Sequence, residues 1–156
     1  MQLVPELKKV EIFKDLPESG LHAIAAVAEI VTLGAGDVVI VEGGPADALY
    51  VIRYGSCRIY KEKGGDQQEV VLLGEGSHLG SSALLDRRAR SATVVAAEPT
   101  ELIAFRAERL LEVLEKDPRL EAAFYRAFAK SVFQRLRRTT DDLGLARLQA
   151  AERRGA

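Results

Sequence analysis

Residues 77–94 of the chain read Ser77-His78-Leu79-Gly80-Ser81-Ser82-Ala83-Leu84-Leu85-Asp86-Arg87-Arg88-Ala89-Arg90-Ser91-Ala92-Thr93-Val94. The part from Gly80 to Asp86 shows no alternation of apolar and polar residues, and it interrupts a region made of short β-branched and aromatic runs. Between Ile30 and Arg106 those runs are Val31-Thr32-Leu33, Asp37 to Val41, Ala48 to Arg53, Cys57 to Tyr60, Glu69 to Leu73, Ser91 to Ala96 and Glu101 to Phe105. Side chains of this kind fit a pleated surface better than a helix, so each run predicts a strand. Turn signals separate them: Gly34-Ala35-Gly36-Asp37, Gly43-Gly44-Pro45, Tyr54-Gly55-Ser56, Gly64-Gly65-Asp66, Gly74-Glu75-Gly76 and Glu98-Pro99. Strands at such regular intervals predict an all-β sandwich, barrel or jelly roll. Gly80 to Asp86 reads as a short helix set into it, with a glycine and two hydroxyls in its first turn.

Helical periodicity flanks this region on both sides. From Pro5 to about Glu29 the apolar positions Leu7, Val10, Ile12, Phe13, Leu16, Leu21, Ile24, Val27 and Ala28 predict one or two short helices, with Pro17 suited to a first turn. After Ala107 come Leu110, Leu111, Val113 and Leu114, then a start at Pro118 and the stripe Leu120, Phe124, Phe128, Val132 and Leu136. The i, i+4 spacing of that stripe predicts a helix of about five turns with one apolar side. The segment from Asp141 to Arg154 carries Leu143, Leu145 and Leu148 less regularly and reads as a frayed end. The expected organisation is a single domain: N-terminal helices over 1–29, a β region over 30–106 with the inserted stretch at 79–94, and C-terminal helices over 107–156.

The 156 residues, 47% of them hydrophobic and 29% charged, suffice for one buried core and exclude a disordered or fibrous chain. Twenty-two Lys and Arg against 23 Asp and Glu leave a net charge of -1, so no overall field draws the molecule to nucleic acid or an anionic membrane. The single cysteine, Cys57, has no partner for an internal disulfide and reads as a strand residue; with only His22 and His78 to help it, no metal site is expected. Apolar runs fall far short of the roughly 20 residues of a membrane span. Met1-Gln2-Leu3 leads directly to Glu6, Lys8 and Lys9 rather than to a signal-like stretch. A reduced, cytoplasmic protein is expected.

Catalytic templates are missing. Neither His22 nor His78 stands in a local motif with a nucleophile and an acidic orienter. Asp141 and Asp142 are adjacent, so on a helix they point about 100° apart and suit a surface rather than a paired acid site. Gly34-x-Gly36 and Gly74-x-Gly76 are too short for a phosphate loop and precede strands. Gly80-Ser81-Ser82 differs, because a helix opened by glycine and hydroxyls offers unpaired N–H groups to an anion. Arg90, ten residues later, adds a planar fork of donors, and Ser91 another hydroxyl. Composition leaves a plainer alternative open: a helix cap, with Arg87, Arg88 and Arg90 as solvated loop charges.

A wider frame resembles one family. Gly36 with Glu42-Gly43, Tyr50-x-Ile52-x-x-Gly55, Leu72-x-x-Gly76, and Leu79-Gly80 through Arg90-Ser91-Ala92-Thr93-Val94 are similar to the cyclic-nucleotide-binding domain of catabolite activator proteins, kinase regulatory subunits and cyclic-nucleotide-gated channels. The resemblance runs from about residue 10 to about residue 138, and the Gly80-to-Arg90 spacing matches the family's phosphate-binding cassette without a gap. It implies a mainly β fold, a jelly roll with short N-terminal helices, a cassette helix and C-terminal helices. It also implies that Leu79, Gly80, Ser81 and Ser82 with Arg90, Ser91 and Ala92 form the ligand site, with Arg90 on the cyclic phosphate. Three positions depart from the family: Leu79 where phenylalanine is usual, Ala89 where proline is common, and Ser81 in place of the glutamate that binds the ribose 2′-hydroxyl. A hydrogen bond to a charged group contributes roughly 1.5–3 kcal/mol, so the last change predicts binding about ten- to a hundredfold weaker.

The expected function is therefore that of a non-enzymatic cyclic-nucleotide sensor without cofactor or metal, cAMP slightly ahead of cGMP, signalling to an unidentified protein partner. The alternative is a degenerate domain that keeps the jelly roll for protein interaction or binds another ligand. A cupin-like enzyme fails for want of clustered metal ligands. No attached DNA-binding helix-turn-helix is expected, since one would need roughly 60 residues after the long helix, and Arg126, Lys130, Arg135, Arg137 and Arg138 read as a solvated face rather than a nucleic-acid patch. The 119–138 helix is expected to cover the jelly roll, to form a homodimer seam, or both.

Overall fold

The computed structural model describes residues 3–155; Met1, Gln2 and Ala156, and the side chains of Thr139, Asp142, Leu143, Leu145 and Ala146, lie outside the described residues. In chain order come α1 (Val4–Leu7), α2 (Glu18–Ala25), β1 (Ala28–Leu33), β2 (Val38–Ile40), β3 (Ala48–Tyr54), β4 (Cys57–Lys63), β5 (Asp66–Leu73), β6 (His78–Leu79), a single 3-10 turn (Ser81–Ala83), β7 (Thr93–Ala96), β8 (Thr100–Arg106), α3 (Ala107–Glu115) and α4 (Pro118–Gly155). Two antiparallel four-stranded sheets, ordered β1-β8-β3-β6 and β2-β7-β4-β5, make the jelly roll. Every predicted run holds a strand. β1 starts at Ala28, two residues ahead of the expected border at 30, and β6 is a strand that the sequence pattern missed because two residues carry no periodicity.

Two cores explain why β3 and β8 read as almost unbroken apolar runs. Ile52 and Leu102 face the second sheet and, with Leu79 of their own sheet, pack against its Ile40, Cys57 and Val94. Their neighbours Leu49, Val51, Ile103 and Phe105 face the other way, onto Leu7, Ile12, Phe13, Leu110, Phe124 and Phe128 of the helices and their connections. Successive strand residues point to opposite faces, so a sheet covered on both sides must be apolar throughout. Phe13 sits between Phe105 and Phe124, with ring centroids 5.3 and 5.8 Å away.

Two helical expectations need correction. The chain from Pro118 is one helix to Gly155, rather than five turns and a frayed end. The predicted stripe also splits: Leu120, Phe124 and Phe128 are buried, whereas Val132 and Leu136 are 42% and 61% exposed. The cause is geometric. At 3.6 residues per turn, an i+4 row advances about 40° at each step, so Leu136 ends on the far side from Leu120. The positions that stay over the jelly roll follow a mixed three-and-four spacing, from Phe124 and Phe128 to Ser131, Arg135 and Arg138. No helix among the described residues is long and apolar enough to cross a membrane.

Candidate functional site

The cassette departs from the expected helix at once. Gly80 adopts a left-handed conformation, φ +75°, which ends β6 and leaves only the 3-10 turn Ser81–Ala83 behind it. One such turn has no macrodipole to speak of, because aligned peptide dipoles sum only over a longer helix. What remains for an anion is the set of N–H groups that open the turn. Ala83 and Leu84 are buried and anchor the turn in the helix-side core.

Gly80 and Arg90 are built around each other. A Cβ on Gly80 would lie 2.6 Å from Arg90 Nη1 and 3.0 Å from the Ala48 carbonyl oxygen, so glycine is required by contact as well as by φ. Arg90 is only 6% exposed. Its Nη1 donates to the Gly80 carbonyl at 2.9 Å and its Nη2 to the Ala48 carbonyl at 2.7 Å, with Asp47 Oδ1 3.8 Å away. Its main chain is fixed as well, donating to Gly44 O at 2.9 Å and accepting from Gly43 N–H at 2.8 Å. Burial lowers the guanidinium pKa, opposed by Tyr50 and Asp47. A buried cation held chiefly by neutral carbonyls is costly, and an anion brought to it offsets that cost.

Leu79, Gly80, Ser81, Ser82, Arg90, Ser91 and Ala92, the seven residues taken from the sequence, all line one cavity of about 190 Å³. Ile40, Ile59 and Val94 give it an apolar side, which suits a flat ring, and His78 and Arg135 complete it. Among the described residues, no acidic one lines it. Sequence reasoning missed those five. Arg135 reads in the sequence as part of a solvated face, and its spacing of seven from Phe128, two turns along the same side of the helix, is the signal that places it here.

His78 ties this cavity to α4. The residue is 2% exposed, its ring centroid lies 5.4 Å from that of Phe128, and its Nε2 has no hydrogen-bond partner among the described residues. Burial, and then the charge of Arg135, lower its pKa to about 4, so the imidazole is neutral at pH 7. Arg135 in turn is lowered by desolvation and by Arg138. Cys57 stands apart, wholly buried between the sheets, with burial raising its thiol pKa.

This fold is that of the cyclic-nucleotide-binding class. The family model described as cyclic nucleotide-binding domain matches residues 30–117, and the chain belongs to that family. It is similar to a cAMP-dependent protein kinase regulatory subunit of Mucor circinelloides f. lusitanicus, 39% identical over 58% of this chain and 21% of that protein. It is also similar to the cyclic AMP receptor protein of Thermus thermophilus, 32% identical over 78% of this chain and 55% of that one. Among solved structures, the Thermus thermophilus catabolite activator protein superposes with a TM-score of 0.73 at 28% identity, covering 86% of this chain and 62% of that one. The chain spans about a fifth of the first of these relatives and little more than half of the second.

Proposed function

We propose that the chain is a non-enzymatic, cytoplasmic sensor whose cassette cavity binds a cyclic nucleotide, with cAMP as the first candidate and cGMP as the second. The observation that carries this reading is Arg90, a buried cation touching Gly80 in a cavity lined by no acid. The cyclic phosphate sits against the Gly80–Ser82 backbone and Arg90, with Ser91 and Ala92 beside it, and the purine lies along Ile40, Ile59 and Val94. The order Arg90-Ser91-Ala92 and the cAMP in the names of two relatives support adenine.

The output runs through α4, since Phe128 packs on His78 and Arg135 reaches the same cavity. Bound ligand shifts the helix by its difference in affinity for two helix positions, and no further energy is available. The exposed Val132 and Leu136 offer the surface for a homodimer through the 119–138 helix or for another protein partner. A second reading, an interaction module without nucleotide binding, is favoured by Ser81 alone.

Calorimetric titration with cAMP and cGMP, with Arg90→Ala alongside, separates the two. The sensor reading expects micromolar binding that Arg90→Ala weakens at least a hundredfold. No heat up to millimolar nucleotide overturns it in favour of the interaction module.

A further inference from the structure

His78 and Arg135 line a second cavity as well as the first. It measures about 390 Å³ and lies between α4 and the turn that carries Gly76. Arg138, one turn beyond Arg135, and Lys9, from the segment after α1, bring two more cations to it, and Ser131 and Gln134 bring a hydroxyl and an amide. The two glutamates at this cavity do not cancel that charge. Glu11 is engaged by Lys14 at 3.3 Å and Lys9 by Glu6 at 3.9 Å, so Arg135 and Arg138 still outnumber Glu75, which is left to accept from hydroxyls of the kind a sugar offers. In the wall shared by the two cavities stands the His78 ring, 98% shielded from solvent and with Nε2 unpartnered. An unpaired buried nitrogen is a standing cost that a ligand group able to pair with it would remove. On the cassette side, by contrast, the sugar acceptor expected at position 81 is a serine.

We propose that this second cavity binds a phosphate group through Arg135, Arg138 and Lys9, and that Arg135, shared between the cavities, couples its occupancy to that of the cassette. The proposal rests on the cassette being a nucleotide site. The phosphate comes either from the second phosphodiester of a cyclic dinucleotide lying across both cavities or from a separate phosphoanion. Coupling is reciprocal in either case, because one guanidinium cannot serve both cavities independently.

The test uses the full chain, its Arg138→Ala variant, and four probes in calorimetry: inorganic phosphate, cyclic di-GMP, cAMP and cGMP. Arg138 is exposed and lines only the second cavity, so the variant is expected to fold and to keep its affinity for the mononucleotides within about twofold. Cyclic di-GMP binding at least tenfold tighter than either mononucleotide, lost in Arg138→Ala, supports the one-ligand source. Phosphate binding that is lost in Arg138→Ala, and that changes mononucleotide affinity at least threefold, supports the separate anion. If neither phosphate nor cyclic di-GMP responds to Arg138→Ala, the proposal is overturned, even with tight mononucleotide binding. If the mononucleotides fail to bind while phosphate still responds, the sensor reading falls and the anion site stands without its coupling.

Discussion

Along one side of α4 lie two environments a few turns apart. At Phe124 the helix meets Phe13, which in turn meets Phe105, apolar, fully buried rings tilted against one another. At Phe128 and Arg135 it meets His78 and a cavity that also holds Arg90. Of the two, only the second buries a cation, Arg90, held by carbonyls, and an imidazole nitrogen that has no hydrogen-bond partner among the described residues. The first region gains stability from area removed from water. The second carries unmet electrostatic demand, and a site that must bind an anion has to carry it before the anion arrives.

The largest expected effect is in the packed region. Phe124→Ala should lower unfolding free energy by about 3–5 kcal/mol, from lost burial and a cavity that its neighbours cannot fill, as read by urea denaturation. A cost under about 1 kcal/mol would break the comparison, since the rings would then not be a packed core.

The next effect belongs to His78. Its folded pKa of about 4 lies below the ordinary 6.5, so between those values the unfolded chain binds the proton and the folded chain does not. Stability therefore rises with pH through this window, and acidification from pH 7 should cost about 3 kcal/mol by the time pH 4 is passed. Denaturation midpoints measured from pH 4 to 7 check this, and His78→Leu should flatten the profile. An unchanged slope in the variant would assign the acid sensitivity to other groups.

Ser81→Glu sharpens the comparison on the ligand side. Restoring a charged acceptor for the ribose hydroxyl should tighten cyclic-nucleotide binding by about ten- to a hundredfold, or 1.4–2.8 kcal/mol, in a titration. The smallest effect is expected at Leu136, which points away from both regions. Leu136→Ser should move monomer stability by less than about 0.5 kcal/mol, and a larger, concentration-dependent loss would reveal a homodimer seam instead.

The jelly roll was legible because β-branched and aromatic runs such as Ala48 to Arg53 and Glu101 to Phe105 predict strands and glycines mark the turns between them; that this sheet is covered on both faces was not. The grouping of Gly80 with Arg90 was legible from spacing and family likeness together. The one-turn form of the cassette was not, because it depends on the left-handed Gly80, which sequence shows only as a glycine. Nor was the role of α4. An i+4 stripe looked straight on paper, but the drift of the row turns Leu136 outward and brings Arg135 to the cavity. No local motif in the sequence marks His78, and only its packing against Phe128 shows it as the contact between cavity and helix.

The most direct test of a nucleotide site at the cassette is to titrate isotope-labelled protein with cAMP and cGMP and follow backbone amide resonances. The account predicts that the largest shifts fall on Gly80, Ser81, Ser82, Ser91 and Ala92, with smaller ones at Phe128 and Arg135 on α4. Shifts confined to other parts of the jelly roll, or none at millimolar nucleotide, would contradict it.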